Sequence, residues 1–479
     1  MSVGRSALKS TLFVAANSYF NMGVNFVTGV TLARILLPEH FGVVALASFF
    51  LGLFGRVREF GLDLALVHKQ EDIDKTLSTH FFLQILLALV NFILILAAVP
   101  ILSRYYSSET ILVLLILGSF VILKAASATQ RIYLEKELLF KYTTIFDMAS
   151  LLISSIISVV AAVKGFGLWS LVLGNTSYTF FNFLFLWILR PWKLRFDFDK
   201  KIAIWFFKFG SFLWIGGITT FIILQYNDFL VGTFLGITIL GYYSRAFNYS
   251  QIPTNLVTSV VSRVAFPTYA KLQSDKIKLQ TTFSLVLRNI VRFSAPISLI
   301  LVLTAADFIE FLIGPKWLPM VPIFQILIVY SLLRPIFDDT GSFLAAIGKP
   351  NLVAKYLTAM AIIFLIISPL LMNTFGVAGS AISLGIILLL GVFLAYYYAS
   401  KFIKIDFPKI FGPVILATLL SAIVYFLIKA WYNFASLPIF YRLAVEWLIL
   451  GVSYLILIFI FEKKQIKEDL KLLLSIIKK

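Results

Sequence analysis

Runs of about twenty apolar residues recur along almost the whole 479-residue chain, and they limit its possible folds more than any other feature. A helix rises about 1.5 Å per residue, so about 20 apolar residues cross a bilayer core about 30 Å thick. About fourteen segments qualify on that criterion. They lie near residues 11–36, 41–67, 79–102, 111–134, 142–163, 166–190, 203–233, 238–266, 283–304, 319–346, 353–373, 376–400, 408–430 and 438–461. Composition closes the alternative: 13% of residues are charged and 60% hydrophobic, with 48 Phe and 20 Tyr, whereas soluble domains carry about 25% charged residues. The expected fold class is therefore all-α, a polytopic membrane protein.

The net charge of +18 does not indicate nucleic-acid binding, because the cations fall in short segments between apolar runs and form no basic domain. The absence of Cys removes disulfides and thiolate chemistry. His40, His68 and His80 show no ligand spacing and read as surface or interfacial residues, so neither a metal nor another cofactor is expected. The first apolar run is too long for a signal-peptide core and lacks a small-residue cleavage pattern, so it reads as a retained helix.

Sidedness follows from Lys and Arg in the short loops. With the N-terminus inside, about 27 of them fall in inside segments and about five outside. Both termini are expected in the cytoplasm, with the protein in the cytoplasmic membrane. No loop is long enough for a soluble catalytic domain. The segment 266–282 and the tail after Glu462 are basic and amphipathic in pattern, which suits the anionic inner leaflet.

An internal repeat orders the helices. Leu36-Leu37-Pro38-Glu39-His40-Phe41-Gly42 and Leu235-Gly236-Ile237-Thr238-Ile239-Leu240-Gly241 are turns separated by 199 residues. Later positions agree: Lys141-Tyr142 and Lys355-Tyr356 both open helices. Two six-helix lobes, 1–199 and 200–400, with an appended pair of helices and a basic tail in 401–479, are the expected organisation. Two even-numbered halves repeat in parallel about an axis along the membrane normal, leaving a central cleft.

About nine cations fall inside the expected spans, which in lipid would cost on the order of 25 kcal/mol. Helical spacing gathers polar residues into stripes: Ser48, Gly52, Arg56, Glu59 and Asp63; Lys124, Ser127 and Arg131; Arg245, Asn248, Asn255, Ser259 and Ser262; and Asn17, Asn21, Asn25 and Thr28. Such faces suit the walls of a wet cavity. Ion pairing is the competing reading, and Arg56 with Glu59 and Arg334 with Asp338 fit it. Arg288 and Arg292, like charges one turn apart, need an anion or a distant acid.

The candidate substrate-binding cations are Arg34, Arg56, Arg58, Lys124, Arg131, Arg245, Arg263, Arg288, Arg292 and Arg334, disposed as a route for a phosphate or pyrophosphate. There is no GxxxxGK[ST] loop for ATP. Glu59, Asp63, Asp228, Asp338 and Asp339 are candidate carriers of a coupling proton or sodium ion, with simple charge pairing the competing role. Pro253, Pro296 and Pro335 fall inside expected helices, where each permits a kink.

Several stretches resemble the polysaccharide transporter family. They are Ile239-Leu240-Gly241-Tyr242-Tyr243-Ser244-Arg245-Ala246, Arg263-Val264-Ala265-Phe266-Pro267 and Leu312-Ile313-Gly314-Pro315-Lys316-Trp317-Leu318-Pro319, joined by Glu59-Phe60-Gly61-Leu62 and Gly165-Phe166-Gly167-Leu168-Trp169. The resemblance implies membership of the exporter superfamily that holds multidrug extruders and Wzx-type oligosaccharide-lipid flippases, with two six-helix bundles in a V around a central cavity. It implies a polyprenyl-pyrophosphate-linked glycan as substrate, contact with membrane lipids, other polysaccharide-assembly proteins as neighbours, and a monomer. The expectation is thus a flippase and not an enzyme. Two rivals are a small-molecule or multidrug exporter, which the cationic excess disfavours, and a polysaccharide polymerase or ligase, which the short outer loops disfavour.

Overall fold

The computed structural model describes residues 3–56, 58–69, 71–189, 192–195, 197–432 and 434–477; side chains at 3–16, 212–213, 259–264, 435, 468 and 470–477 are outside that description. Regular structure among the described residues is helical throughout. In order the helices are α1 Val3–Ile35, α2 Pro38–Gly55, α3 Leu62–His68, α4 Ile73–Leu102, α5 Ser108–Lys136, α6 Phe140–Val163, α7 Leu168–Leu189, α8 Lys200–Leu230 and α9 Ile237–Ser250. There follow α10 Ile252–Leu272, α11 Lys276–Leu303, α12 Ala305–Ile313, α13 Val321–Ala346, α14 Pro350–Ala399, α15 Phe407–Trp431 and α16 Ile439–Ile477. Side-chain caps fix several starts: Asp199, Asp275 and Asp406 accept backbone N–H groups at the first turns of α8, α11 and α15, satisfying donors that have no partner within the helix.

Eleven helices among the described residues are long and apolar enough to cross a membrane, against the fourteen expected. Two causes account for the difference. The segments expected at 11–36 and 238–266 are helical, as α1 and as α9 with α10, but do not meet both the length and the apolarity required among the described residues; α9 has only 14 residues. The two spans expected at 353–373 and 376–400 both lie in α14, where Gly376 (φ 60°, ψ −141°) turns the chain back on itself. Gly379 then packs so close to Leu371 that a methyl group would collide with the Leu371 carbonyl. The helix expected at 238–266 is also interrupted at Gln251, so Pro253 sits in the first turn of α10, where its missing N–H costs nothing. Pro296 and Pro335 do lie inside helices, α11 and α13.

The chain forms two compact units, Met1–Ser244 and Arg245–Lys479. In the first, α6 packs against α1 and α7, α4 against α5, and α2 against α5, α7 and α8. Its aromatic core holds Phe81, Trp192 and the fully buried Phe206. In the second, α13 packs against α10, α11 and α14, and α11 also against α15 and α16. Phe283 and Phe343 meet there with ring centroids 4.7 Å apart, next to the buried Tyr269.

Within the first unit the two repeated turns meet. A methyl on Gly42 would strike the Ile237 carbonyl, and a methyl on Gly241 would strike the Pro38 carbonyl. Gly241 lies 199 residues after Gly42 and Ile237 lies 199 after Pro38, so the two contacts exchange under the offset between the turns and pack reciprocally, glycine against carbonyl. Only glycine allows that approach. Gly42→Ala and Gly241→Ala are each expected to cost about 1–3 kcal/mol, read as a lowered melting temperature in detergent, while Gly23→Ala, which meets nothing, leaves it unchanged.

Candidate functional site

The helix expected at 41–67 is broken. α2 ends at Gly55, the described residues 56 and 58–61 are outside any helix, with Gly61 at φ 65°, and α3 begins at Leu62. The expected single stripe from Ser48 to Asp63 is therefore two separate surfaces. Broken backbone in a membrane protein must be answered by protein or water, and α8 answers it here. Trp214 Nε1 donates to the Arg56 carbonyl at 2.7 Å, and its ring stacks on Phe60 at 5.1 Å between centroids. Gly210 lets α8 lie directly on the Phe60 carbonyl, where a methyl would not fit.

Around this break a polar ladder runs from α3 to α5. Arg58 Nη1 donates to Gln84 Oε1 at 3.2 Å, and Gln84 Nε2 donates to Asp63 Oδ1 at 2.8 Å. His80 Nε2 lies 3.2 Å from the same carboxylate oxygen and His80 Nδ1 lies 2.8 Å from Thr129 Oγ1. The carboxylate only accepts, so Nε2 carries the hydrogen, and in the neutral ring Nδ1 accepts from the Thr129 hydroxyl. His80 is wholly buried, which corrects its reading as a surface or interfacial residue. His40 caps Leu37 N at 3.3 Å, and His68 stacks on Phe209.

The expected cations divide by partner. Arg131 forms a fork with Asp147 at 2.8 and 2.8 Å and reaches Glu135 at 3.0 Å. Arg56 pairs with Glu59 at 2.7 Å, and Arg334 pairs with Asp338 at 2.9 Å while also donating to Tyr330. The like charges Arg288 and Arg292 are answered by a distant acid, as one of the two expected alternatives required: Asp469 lies 3.3 Å from Arg288 and 3.2 Å from Arg292, and Glu462 lies 2.7 Å from Arg292. The segment from Glu462 onward thus presents two carboxylates, Glu462 and Asp469, to α11, while Lys463, Lys464 and Lys467 stay exposed. Arg34 is exposed in the last turn of α1, Arg245 is half-buried in α9, and the side chain of Arg263 lies outside the described residues.

Arg58 and Lys124 differ from these. Among the described residues no carboxylate lies within ion-pair distance of either. Lys124 is exposed, makes no hydrogen bond to a described residue, and lies within electrostatic range of Arg58, Glu59, Asp63 and Arg131. Of the candidate ion carriers, Glu59, Asp63 and Asp338 are engaged as described above. Asp339 is buried and accepts the Tyr269 hydroxyl at 3.1 Å on both oxygens; Asp228 is half-buried in α8. Sequence reasoning missed His80, Gln84, Thr129 and Asp147. His80, Gln84 and Asn91 do recur at i, i+4 and i+11 along one face of an otherwise apolar α4, a stripe that periodicity can find.

A family model described as "Polysaccharide biosynthesis protein" matches residues 31–322. The chain is 22% identical to the lipopolysaccharide biosynthesis protein WzxC of Escherichia coli (strain K12) over 414 residues, covering 84% of this chain and 82% of that one. It is 26% identical to the teichuronic acid biosynthesis protein TuaB of Bacillus subtilis (strain 168), an alignment that spans 62% of each chain. In three dimensions it resembles a solved structure of the lipid II flippase MurJ in an inward closed conformation, with TM-score 0.78 at 18% identity over 95% of this chain and 100% of that one. An inward-facing multidrug resistance MATE transporter of the MOP superfamily gives TM-score 0.54 at 16% identity over 84% of this chain and 94% of that one. The fold is that of these transporters, and the chain belongs to the polysaccharide biosynthesis protein family.

Proposed function

We propose that this protein is a flippase that carries a polyprenyl-pyrophosphate-linked oligosaccharide outward across the cytoplasmic membrane by alternating access, with both its termini inside. The carrying observation is the pairing of Arg58 with Lys124. Two cations face one electrostatic neighbourhood beside a break in α2, and no described carboxylate is ion-paired to either. Glu59 and Asp63 share that neighbourhood but are engaged by Arg56 and by His80 and Gln84, so an added anion relieves a repulsion these acids only partly offset. A pyrophosphate suits the gap, because a guanidinium binds it bidentately and an ammonium serves as a point charge.

The polyprenyl tail stays in lipid; Arg131, Arg288 and Arg292 serve as ion pairs between helices, and Arg56 and Arg334 as local ion pairs. Asp339 and Asp228, neither ion-paired to a described residue, are the acids we assign to carrying a coupling proton or sodium ion. We keep two six-helix repeats, 1–199 and 200–400, as the organisation, with 401–479 appended. Names of similar proteins support the reading: ExoT of Rhizobium meliloti (strain 1021), 26% identical over 67% of this chain, is described as a succinoglycan biosynthesis transport protein.

Vesicles containing the purified protein and an undecaprenyl-pyrophosphate-linked oligosaccharide test the reading. Intact glycan lipid appearing in the opposite leaflet supports it. Polymerised product identifies an enzyme, and uptake of a cationic drug with the glycan lipid ignored identifies a multidrug exporter.

A further inference from the structure

The stripe on α1 does not face lipid along its whole length. Asn21, Asn25 and Thr28 line an open cavity of about 350 Å³ within the first unit, whose other walls are α6 and α7. Ser155 of α6 and Asn175 and Tyr178 of α7 complete its polar wall, and leucines form the apolar part. The volume lies at the lower end of the range of about 300–1,000 Å³ seen for small-ligand sites.

Three observations mark it as a built site. First, no Lys, Arg, Asp or Glu is among its lining residues, although the cation-bearing ladder occupies the same unit. Second, several of its polar groups lack partners, although Ser154, Ser158, Asn175 and Tyr178 each donate to the protein. Asn21 Oδ1 is buried with no hydrogen-bond partner among the described residues, and the side chains of Asn25, Thr28 and Ser155 make no hydrogen bond to a described residue. A buried acceptor left unmade costs about 1–3 kcal/mol, so a ligand donor there is favoured. Third, the wall is held in place. Tyr178 Oη donates toward Asp147 at 3.5 Å, and Asp147 is itself fixed by Asn182 at 2.9 Å and by the Arg131 fork. Ser158 Oγ donates to the Ser170 carbonyl at 2.8 Å, and Gly174 brings α7 onto Ser158.

We infer that this cavity is a subsite for one uncharged sugar residue of the carried glycan. A cationic ligand would find no carboxylate there, and an anionic one no guanidinium or ammonium. A sugar offers hydroxyls that both donate and accept, which amides and hydroxyls match, together with C–H faces that rest on Leu151 and Leu171. The inference rests on the flippase reading and adds to it the recognition of the glycan, separately from the pyrophosphate.

The test measures binding to the full chain in nanodiscs of two probes: bare undecaprenyl pyrophosphate, and a panel of undecaprenyl pyrophosphates bearing neutral di- to tetrasaccharides. The wild type should bind at least one panel member about tenfold more tightly than the bare lipid, the worth of one or two hydrogen bonds. Asn25→Leu, nearly isosteric at an exposed position, and Ser155→Leu should each remove that tenfold advantage and leave bare-lipid binding unchanged. Asn25→Asp keeps the size and should also weaken sugar-dependent binding. No panel member binding better than the bare lipid, or an advantage that survives both leucine variants with unchanged melting temperature, overturns the subsite. Failure of the wild type to bind either kind of lipid overturns the flippase reading itself.

Discussion

Arg58→Gln combined with Lys124→Gln should lower flipping of the oligosaccharide lipid by roughly two to three orders of magnitude, since a hydrogen bond to a charged group contributes about 1.5–3 kcal/mol and about 1.4 kcal/mol is tenfold. Each single change should give about ten- to a hundredfold. The protein should insert and melt as the wild type does, because Lys124 is exposed and has no protein partner among the described residues, and glutamine at position 58 still reaches toward Gln84. The measurement is leaflet exchange in proteoliposomes, with melting temperature beside it. Full transport by the double variant would remove both residues from substrate binding.

Arg292→Met should have the opposite signature, a large loss of stability. Its guanidinium lies 2.7 Å from Glu462 and 3.2 Å from Asp469, and both carboxylates are buried. Removing one partner of a buried pair leaves an uncompensated charge, which costs roughly 3–5 kcal/mol. A second change, Glu462→Gln, should restore much of the loss, because it neutralises the carboxylate that Arg292 served while Arg288 keeps Asp469. Thermal unfolding in detergent reads both effects. If Arg292→Met melted as the wild type but failed to transport, Arg292 would belong with Arg58 and Lys124 as a substrate contact.

These two residues show where reasoning from the chain alone stops. Arg58 and Arg292 are both cations expected at membrane depth, and nothing within one turn of either distinguishes a substrate contact from an ion pair. Arg292 finds its carboxylates 170 and 177 residues later, across a helix contact that no local pattern encodes. Arg334 was readable as a pair because Asp338 is one turn away. His80 is an intermediate case: the stripe it forms with Gln84 and Asn91 marks a polar face of α4, but its partners Asp63 and Thr129 lie 17 and 49 residues away and only packing identifies them.

Hydrophobic content and run length determined, with no tertiary information, that the chain is an all-α membrane protein, because lipid leaves a helix few ways to satisfy its backbone. The repeated turns and the α1 amide stripe were likewise legible, since a fixed offset and a 3.6-residue period are properties of the chain itself. Tertiary structure alone decided that α2 breaks before Gly61, since Trp214 answers the Arg56 carbonyl and Gly210 lets α8 lie directly on Phe60. It also decided which cations are neutralised and that the amide stripe lines a cavity. Those outcomes depend on which helices touch, and contact between segments more than a hundred residues apart is a property of packing.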